Sequence, residues 1–292
     1  MLLLEDFRDI VKQDEPLAPH TYFHLGGPAQ FLARPRTIDE LSTLVTRCRQ
    51  EEVPLYVLGG GCNLLVRDEG VRGMVIKLDQ PGFTQISLKG NRVDAGAGAL
   101  LSHVITQSAK QELAGLESLV GIPGTIGGSL RMNAGGRAGD IGQFAHQVTV
   151  MDWLGQIHVR TRDELEFNYR QSNLDEPVVL AGQFELEKDN PDAILKRMRK
   201  IWITKKATQP LDFQSAGCMF KNTRGLSAGM LIEQAGLKGT KVGGAEVSER
   251  HANFIVANEG CTSRDVLRLI DMIRSRVAER FGVELELEIK VW

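Results

Sequence analysis

Glycine clusters at the ends of apolar runs, and this placement limits the fold more than any other feature. "VPLYVLGGGCNLLV" reads as a buried strand, a glycine-dense turn and a second apolar run. "GLESLVGIPGTIGGSLRMNAGG" is denser still in glycine. Helix interiors disfavour such stretches by about 1 kcal/mol per glycine relative to alanine. They must be turns joining strands or short elements. Around them lie the strand "GMVIKL", a hairpin "QISLKGNRVDAGAG" turning at Gly90 and Asn91, an alternating pair "HQVTVMDWLGQIHVRTR" turning at Gly155, and the strand "PVVLAGQFELE". Strands come first, helices are mixed in, and no strand–helix alternation recurs. The class is α+β and not a doubly wound sheet.

Helical spacing is clear in four places. In "TIDELSTLVTRCRQEE", Ile38, Leu41, Leu44, Val45 and Cys48 form one stripe, with Thr37 or Asp39 as cap, so Cys48 is expected in the core. Leu101, Val104, Ile105 and Ala109 make a second stripe. At Asn190-Pro191 the pattern changes: Asn190 can cap and Pro191 suits the first helical position. The helix then predicted carries Ile194, Leu195, Met198, Ile201 and Trp202, and a domain boundary is placed at its start. The last helix points Val266, Leu269, Ile270, Ile273 and Val277 inward and ends at Gly282. "VELELEIKVW" then alternates as a strand. Val283, Leu285, Leu287, Ile289 and Val291 fall on one face, and Glu284, Glu286, Glu288 and Lys290 on the other.

A chain of 292 residues is long enough for two or three cooperating units. Its formal net charge of −2 offers no broad basic field, so nucleic acid is not an expected partner, although an anionic ligand would need a local basic patch. The start "MLLLEDFRDI" is broken by Glu5 and Asp6 and does not read as a signal peptide. No apolar run approaches the roughly 18 residues of a membrane helix, which points to the cytoplasm. Cys48, Cys62, Cys218 and Cys261 show neither C-x-x-C pairing nor a histidine at ligand spacing, so no metal site is expected and the thiols should be free.

The glycine loops invite a dinucleotide reading but fail the G-x-G-x-x-G pattern. Gly59 and Gly61 fit, and Leu64 stands where the third glycine should be; "GAGALL" fails the same way at Leu101. Consecutive glycines leave backbone N–H groups unshielded, and such groups in a turn can hold an anion. Thr125 adds a hydroxyl donor. Two such loops fit a diphosphate joined to a flat ring system, with plain tight turns as the alternative.

In order along the chain, "TYFHLGGPAQFL", "LGGGCNLLV", "GLESLVGIPGTIGGSLRMNAG", "FNYRQS", "SAGCMFKN", "LIEQAGLKG", "SERHANFIVAN" and "VELELEI" resemble the UDP-N-acetylenolpyruvoylglucosamine reductases over nearly the whole length. The resemblance implies a two-subdomain FAD-binding fold of the vanillyl-alcohol-oxidase type plus an α+β substrate-binding domain. It divides the chain into FAD-binding subdomains 1–82 and 83–189, the latter with a returning strand 283–292, and a substrate-binding domain 190–282. The short span between "YRQS" and "AGC" resembles the family type without an extra substrate-covering loop. Implied with it are non-covalent FAD, NADPH as co-substrate, UDP-N-acetylglucosamine enolpyruvate as substrate, and a monomer. The flavin would be held by Gly59, Gly60, Gly61, Cys62, Asn63 and Leu64, and by Gly121, Ile122, Pro123, Gly124, Thr125 and Gly128.

Three catalytic residues follow from the same resemblance. Arg170 matches an active-site arginine suited to a substrate carboxylate; read alone, it is a surface arginine after an aromatic. Glu288 matches an active-site glutamate; read alone, it belongs to a solvated charged face. Cys218 stands where most members carry a serine general acid, and a thiol, ordinarily near pKa 8.5, is the stronger acid. Asn222 and His251 are implied substrate contacts; read alone, His251 is an isolated histidine on a strand, in the core or at the surface. Cys62 replaces a serine, Thr223 a proline, and Arg137 lies in a loop that departs from the usual tyrosine-bearing form. Among Lys205, Lys206, Lys238 and Lys241, some could meet diphosphates, and solvated lysines are the plain alternative. An oxidase of the same flavin fold, or a nucleotide-sugar-binding protein without catalysis, are the competing functions.

Overall fold

The computed structural model describes residues 7–223 and 225–292. The opening apolar run Met1–Leu4 lies outside the described residues. The chain packs as two compact units. The first holds the chain up to Asp14, Gln30–Gly60 and Arg72–Ile203; the second holds Glu15–Ala29, Gly61–Val71 and Thr204–Trp292.

The first unit is built on a five-stranded antiparallel sheet in the order Ile157–Thr161, Ala145–Met151, Val178–Glu185, Arg92–Gly96 and Ile86–Lys89. Both hairpin turns fall where the glycines require them: Gly90 has φ 63° between Lys89 and Arg92, and Gly155 has φ 74°. A parallel pair, Leu55–Leu58 with Val71–Lys77, belongs to a separate four-stranded sheet and delivers the chain to the glycine loop. Helix Ile38–Gln50 starts at Thr37, whose side chain accepts from Glu40 N–H, and buries Leu41, Leu44, Val45 and Cys48 as its stripe predicts. Burial pushes the Cys48 thiol up to about 12, so it is a neutral core residue. Helix Leu101–Lys110 buries Leu101, Val104 and Ile105 in the same core.

The second unit has an antiparallel meander, Lys241–Val242, Ala245–Val247 and Ile255–Ala257, packed against helix Ser263–Phe281. That helix buries Val266, Leu269, Ile270, Ile273 and Val277, and ends at Gly282 with φ 65°. Its first turn is capped three times. Thr262 Oγ1 accepts from Asp265 N–H, the Asp265 carboxylate returns to Thr262 N–H, and Asp68 accepts from Ser263 N–H at 2.9 Å and Arg264 N–H at 3.3 Å. The hydrogen bond from Thr262 N–H holds the Asp265 carboxyl below the usual carboxylate value.

Two expectations change. The closing strand does not run from 283 to 291: only Lys290–Val291 forms a strand, parallel to Leu64–Leu65, and Leu287 makes an isolated bridge to Phe220. The segment changes partner near Ile289, and one ladder cannot continue through that change. On helix Pro191–Thr208, Ile194 is buried, whereas Leu195 and Trp202 are 43% and 45% exposed. Positions 194, 198 and 201 share the inward stripe, and 195 and 202 lie about 100° round the helix from it. Asn190 caps this helix as expected, accepting from Asp192 and Ala193 N–H, and the compact units divide between Ile203 and Thr204.

Replacing Thr262 by alanine removes one capped N–H from the helix core of the second unit. Stability is expected to fall by about 1 kcal/mol in denaturant titration. Because the Asp265 carboxyl sits low when folded, its own contribution is complete above the unfolded carboxylate value near 4 and is lost as pH falls through the folded value.

Candidate active site

In the first unit, three glycine segments from distant parts of the chain meet. A Cβ on Gly59 would lie 2.7 Å from Thr125 Oγ1, so the loop after Leu55–Leu58 approaches the loop 121–125 too closely for any side chain. Gly124 O accepts from Leu101 N–H at 3.0 Å, Ala99 O from Ile126 N–H at 2.9 Å, and Ala97 O from Gly127 N–H at 2.9 Å. These bonds fasten the 121–128 loop to the 96–101 turn. Gly121 and Gly124 take φ 75° and 127°, beyond the reach of Ile122 or Pro123 between them. Gly128 has room for a methyl, with its nearest contact at 3.6 Å, so the packing of the chain itself does not require glycine there. Ser118 Oγ, just before the loop, is buried and has no hydrogen-bond partner. A glycine-lined cradle, with an orphaned hydroxyl in the segment leading into it, fits a flat, polar cofactor.

Arg170 sits in the same unit, at the tip of the hairpin Phe167–Asn168 and Gln171–Ser172. Its φ is 58°, a left-handed conformation that costs a non-glycine residue about 1–2 kcal/mol. Its guanidinium lies 5.1 Å from the centre of the Tyr169 ring. The hairpin is anchored to the end of the glycine-rich segment. Asn133, 3% exposed, donates from Nδ2 to Asn168 O at 2.9 Å and accepts from Gly142 N–H at 3.0 Å; Ser172 Oγ donates to Arg131 O at 3.0 Å. Sequence reading missed Asn133, although it lies within the quoted "RMNAGG". A lone asparagine in a glycine loop looks like a turn residue until its partner, Asn168, is known.

The second unit collects Cys218, Glu288, Asn222, His251 and the far end of the first glycine loop. Residues 218–221 run between two neighbouring segments of the chain, joined to each by an isolated bridge. Cys218 bridges Phe254 on one side, and Phe220 bridges Leu287 on the other. Met219 O accepts from Glu288 N–H at 2.8 Å, so the backbones of the two catalytic candidates are adjacent. Glu288 is half-buried while Glu284 and Glu286 are exposed, which separates it from the solvated face. Glu286 instead pairs with Lys221 at 2.5 Å. Glu288 O accepts from Asn63 Nδ2 at 3.1 Å, and Asn63 O from Lys290 N–H at 3.0 Å. The loop Gly61–Leu64 is thereby tied to the same segment. A Cβ on Gly61 would lie 2.1 Å from His20 O. Burial pushes the Cys62 thiol up to about 11, which keeps it neutral.

His251 lies in a turn and not on a strand. Its Nδ1 accepts from Asn253 N–H at 3.3 Å, and its ring meets the edge of Phe254 at 4.8 Å between centroids. The strand reading failed because Ile255–Ala257 begins only after this turn. Asn222 Oδ1 accepts from Ala228 N–H, at the start of helix Ala228–Gln234. Of the lysines singled out, Lys238 pairs with Glu233 at 2.8 Å and Lys241 with Glu246 at 3.3 Å. Among the described residues, no group of three or more His, Cys, Asp or Glu could hold a metal, and no helix is long and apolar enough to cross a membrane.

Residues 29–160 match the family model of an FAD-binding domain, and residues 209–292 match that of the UDP-N-acetylenolpyruvoylglucosamine reductase C-terminal domain. A reductase of that name from Moorella thermoacetica is 44% identical, over 97% of this chain and 93% of its own. One from Caldanaerobacter subterraneus is 42% identical over 99% and 98%. The crystal structure of the Thermus caldophilus reductase is 40% identical and superposes with a TM-score of 0.83, covering 97% of this chain and 98% of that one. With both domains matched and the likeness running the length of the chain, the protein belongs to the UDP-N-acetylenolpyruvoylglucosamine reductase family.

Proposed function

We propose that this chain reduces UDP-N-acetylglucosamine enolpyruvate to UDP-N-acetylmuramate with FAD and NADPH, a step of peptidoglycan precursor synthesis in the cytoplasm. The observation that carries the reading is the ladder in which Glu288 N–H meets Met219 O, beside Cys218, in a chain of this family. Overall, NADPH, one proton and the enolpyruvyl ether become NADP⁺ and the lactyl ether. FAD, when bound, would supply the redox chemistry: hydride transfer from NADPH to carbon 3 of the enolpyruvyl group.

The glycine cradle, with Gly59, Gly60 and 121–128, is the part that would hold the flavin, and Ser118 offers it a buried hydroxyl. Gly61, Cys62, Asn63 and Leu64 continue that loop; with its thiol neutral, Cys62 contributes through its backbone. Arg170 receives the substrate carboxylate, where negative charge builds once carbon 3 is reduced. Holding a guanidinium on a strained hairpin tip is the kind of local cost found where function fixes a side chain. Cys218 gives its proton to carbon 2, and the resulting thiolate regains one from solvent. Glu288 orients or stabilises the enolate from the neighbouring segment. Asn222 and His251 contribute substrate contacts from the surrounding turns.

The purified protein is expected to be yellow, and UDP-N-acetylglucosamine enolpyruvate is expected to reoxidise its NADPH-reduced flavin, followed by absorbance near the flavin band. A flavin that reduces but never passes hydride to this substrate overturns the assignment. Cys218→Ala is expected to slow that reoxidation by about 10²–10⁴-fold while NADPH still reduces the flavin; equal losses in both half-reactions would make the thiol structural. Gly59→Ala places a methyl against the Thr125 hydroxyl and is expected to weaken FAD retention about tenfold, read by flavin fluorescence on titrating the apoprotein.

A further inference from the structure

The segment after Cys218 is held mainly by one residue of the "SERHANFIVAN" motif to which sequence reading assigns no role. Asn253 is 3% exposed, and all four of its polar groups are engaged. Its main-chain O accepts from Met219 N–H at 2.8 Å. Its side-chain Oδ1 accepts from Phe220 N–H at 3.0 Å, and its Nδ2 donates to Phe220 O at 2.8 Å. Its own N–H donates to His251 Nδ1 at 3.3 Å. The chain turns at 251–254, where Phe254 N–H meets His251 O, so no strand residue is placed to pair with Phe220 on this side. The amide side chain takes the place of the missing peptide group.

The consequence spreads from there. On the opposite side, Met219 O accepts from Glu288 N–H and Glu286 O from Lys221 N–H, both at 2.8 Å. Residues 219–221 are thus fixed from both flanks, immediately after Cys218 and directly against Glu288. The bond to Nδ1 also makes that nitrogen an acceptor, so the neutral His251 ring carries its proton on Nε2. Gly229 leaves the ring its space: a Cβ there would lie 3.3 Å from His251 Cε1.

We propose that Asn253 is the positioning residue for proton delivery, its side-chain amide setting the main chain that aims Cys218 and carries Glu288 beside it. The proposal rests on Cys218 being the proton donor. Replacing a buried amide that serves both polar groups of one peptide residue by a shorter side chain takes from Phe220 N–H and C=O the protein partner that fixes their position. A displacement of about 1 Å of a reacting group is enough to cost about 10²-fold in rate.

The test uses the flavin-loaded enzyme and a double-mutant comparison. Asn253→Ala is expected to slow reoxidation of the reduced flavin by substrate about 10²-fold, to leave flavin reduction by NADPH within about twofold, and to raise the solvent deuterium isotope effect on reoxidation. In a Cys218→Ala background the same substitution is expected to change reoxidation by less than about twofold, since the group it aims is gone. Hydrogen exchange is expected to quicken at the Phe220 amide and stay unchanged in helix Ser263–Phe281. An equal loss with and without Cys218 overturns the positioning role while leaving the proton donor standing. If Cys218→Ala itself reoxidises normally, the donor reading falls and the proposal with it. Asn253→Asp keeps the acceptor for Phe220 N–H and loses only the donor to Phe220 O; if Asn253→Ala does not fold, the same comparison is made with this variant, an intermediate loss dependent on Cys218 supporting the proposal and one independent of it overturning it.

Discussion

The closing segment, 286–292, changes hydrogen-bonding partner partway along, and the second unit is organised around that change. Its first part pairs with residues 219–221, giving Glu288 N–H to Met219 O; its second part pairs with residues 63–67, where Leu65 O accepts from Trp292 N–H and Trp292 O from Arg67 N–H, each at 2.9 Å. One short stretch of backbone therefore joins the Cys218 turn to the loop Gly61–Leu64. Had the alternating segment stayed in one regular ladder, it could have held only one of the two. The interruption near Ile289, a defect when seen as a strand, is what lets a single element serve two loops.

In both units, buried amides fix the segments that carry the candidate reacting groups. Asn133 fastens the hairpin of Arg170 to the loop before Gly142, and Asn253 fastens the turn of Cys218 to the stretch after His251. A neutral amide has a donor and an acceptor and can satisfy both inside a core without the desolvation that a buried charge would incur. The ion pairs with Lys221, Lys238 and Lys241 lie at the rim, where such pairs add little. The amide contacts nearest the candidate reacting groups thus carry no charge of their own.

Much of the fold was legible because hydrophobic period and glycine punctuation agree with one another. The stripe of helix Ile38–Gln50, its Thr37 cap, the burial of Cys48, the turns at Gly90 and Gly155, and the last helix with its stop at Gly282 are all local features, and the structure has them as read. The errors come from elements whose surroundings are not local. Leu195 and Trp202 have the right composition for an inward face but lie just beyond the part of the helix that the core covers. His251 was read on a strand because only the partner strand's register shows that Ile255–Ala257 starts later.

The sequence by itself determined the class of fold, the family and the two glycine loops, because each of these is written in spacing or in motifs a few residues long. It did not reveal Asn133 or Asn253, the partner change near Ile289, or the pairing that sets Glu288 apart from Glu284 and Glu286. Those were decided by tertiary structure alone. Each depends on which distant backbone groups are left over when strands end and turn, and a buried peptide group must find its partner wherever in the chain the fold has brought one.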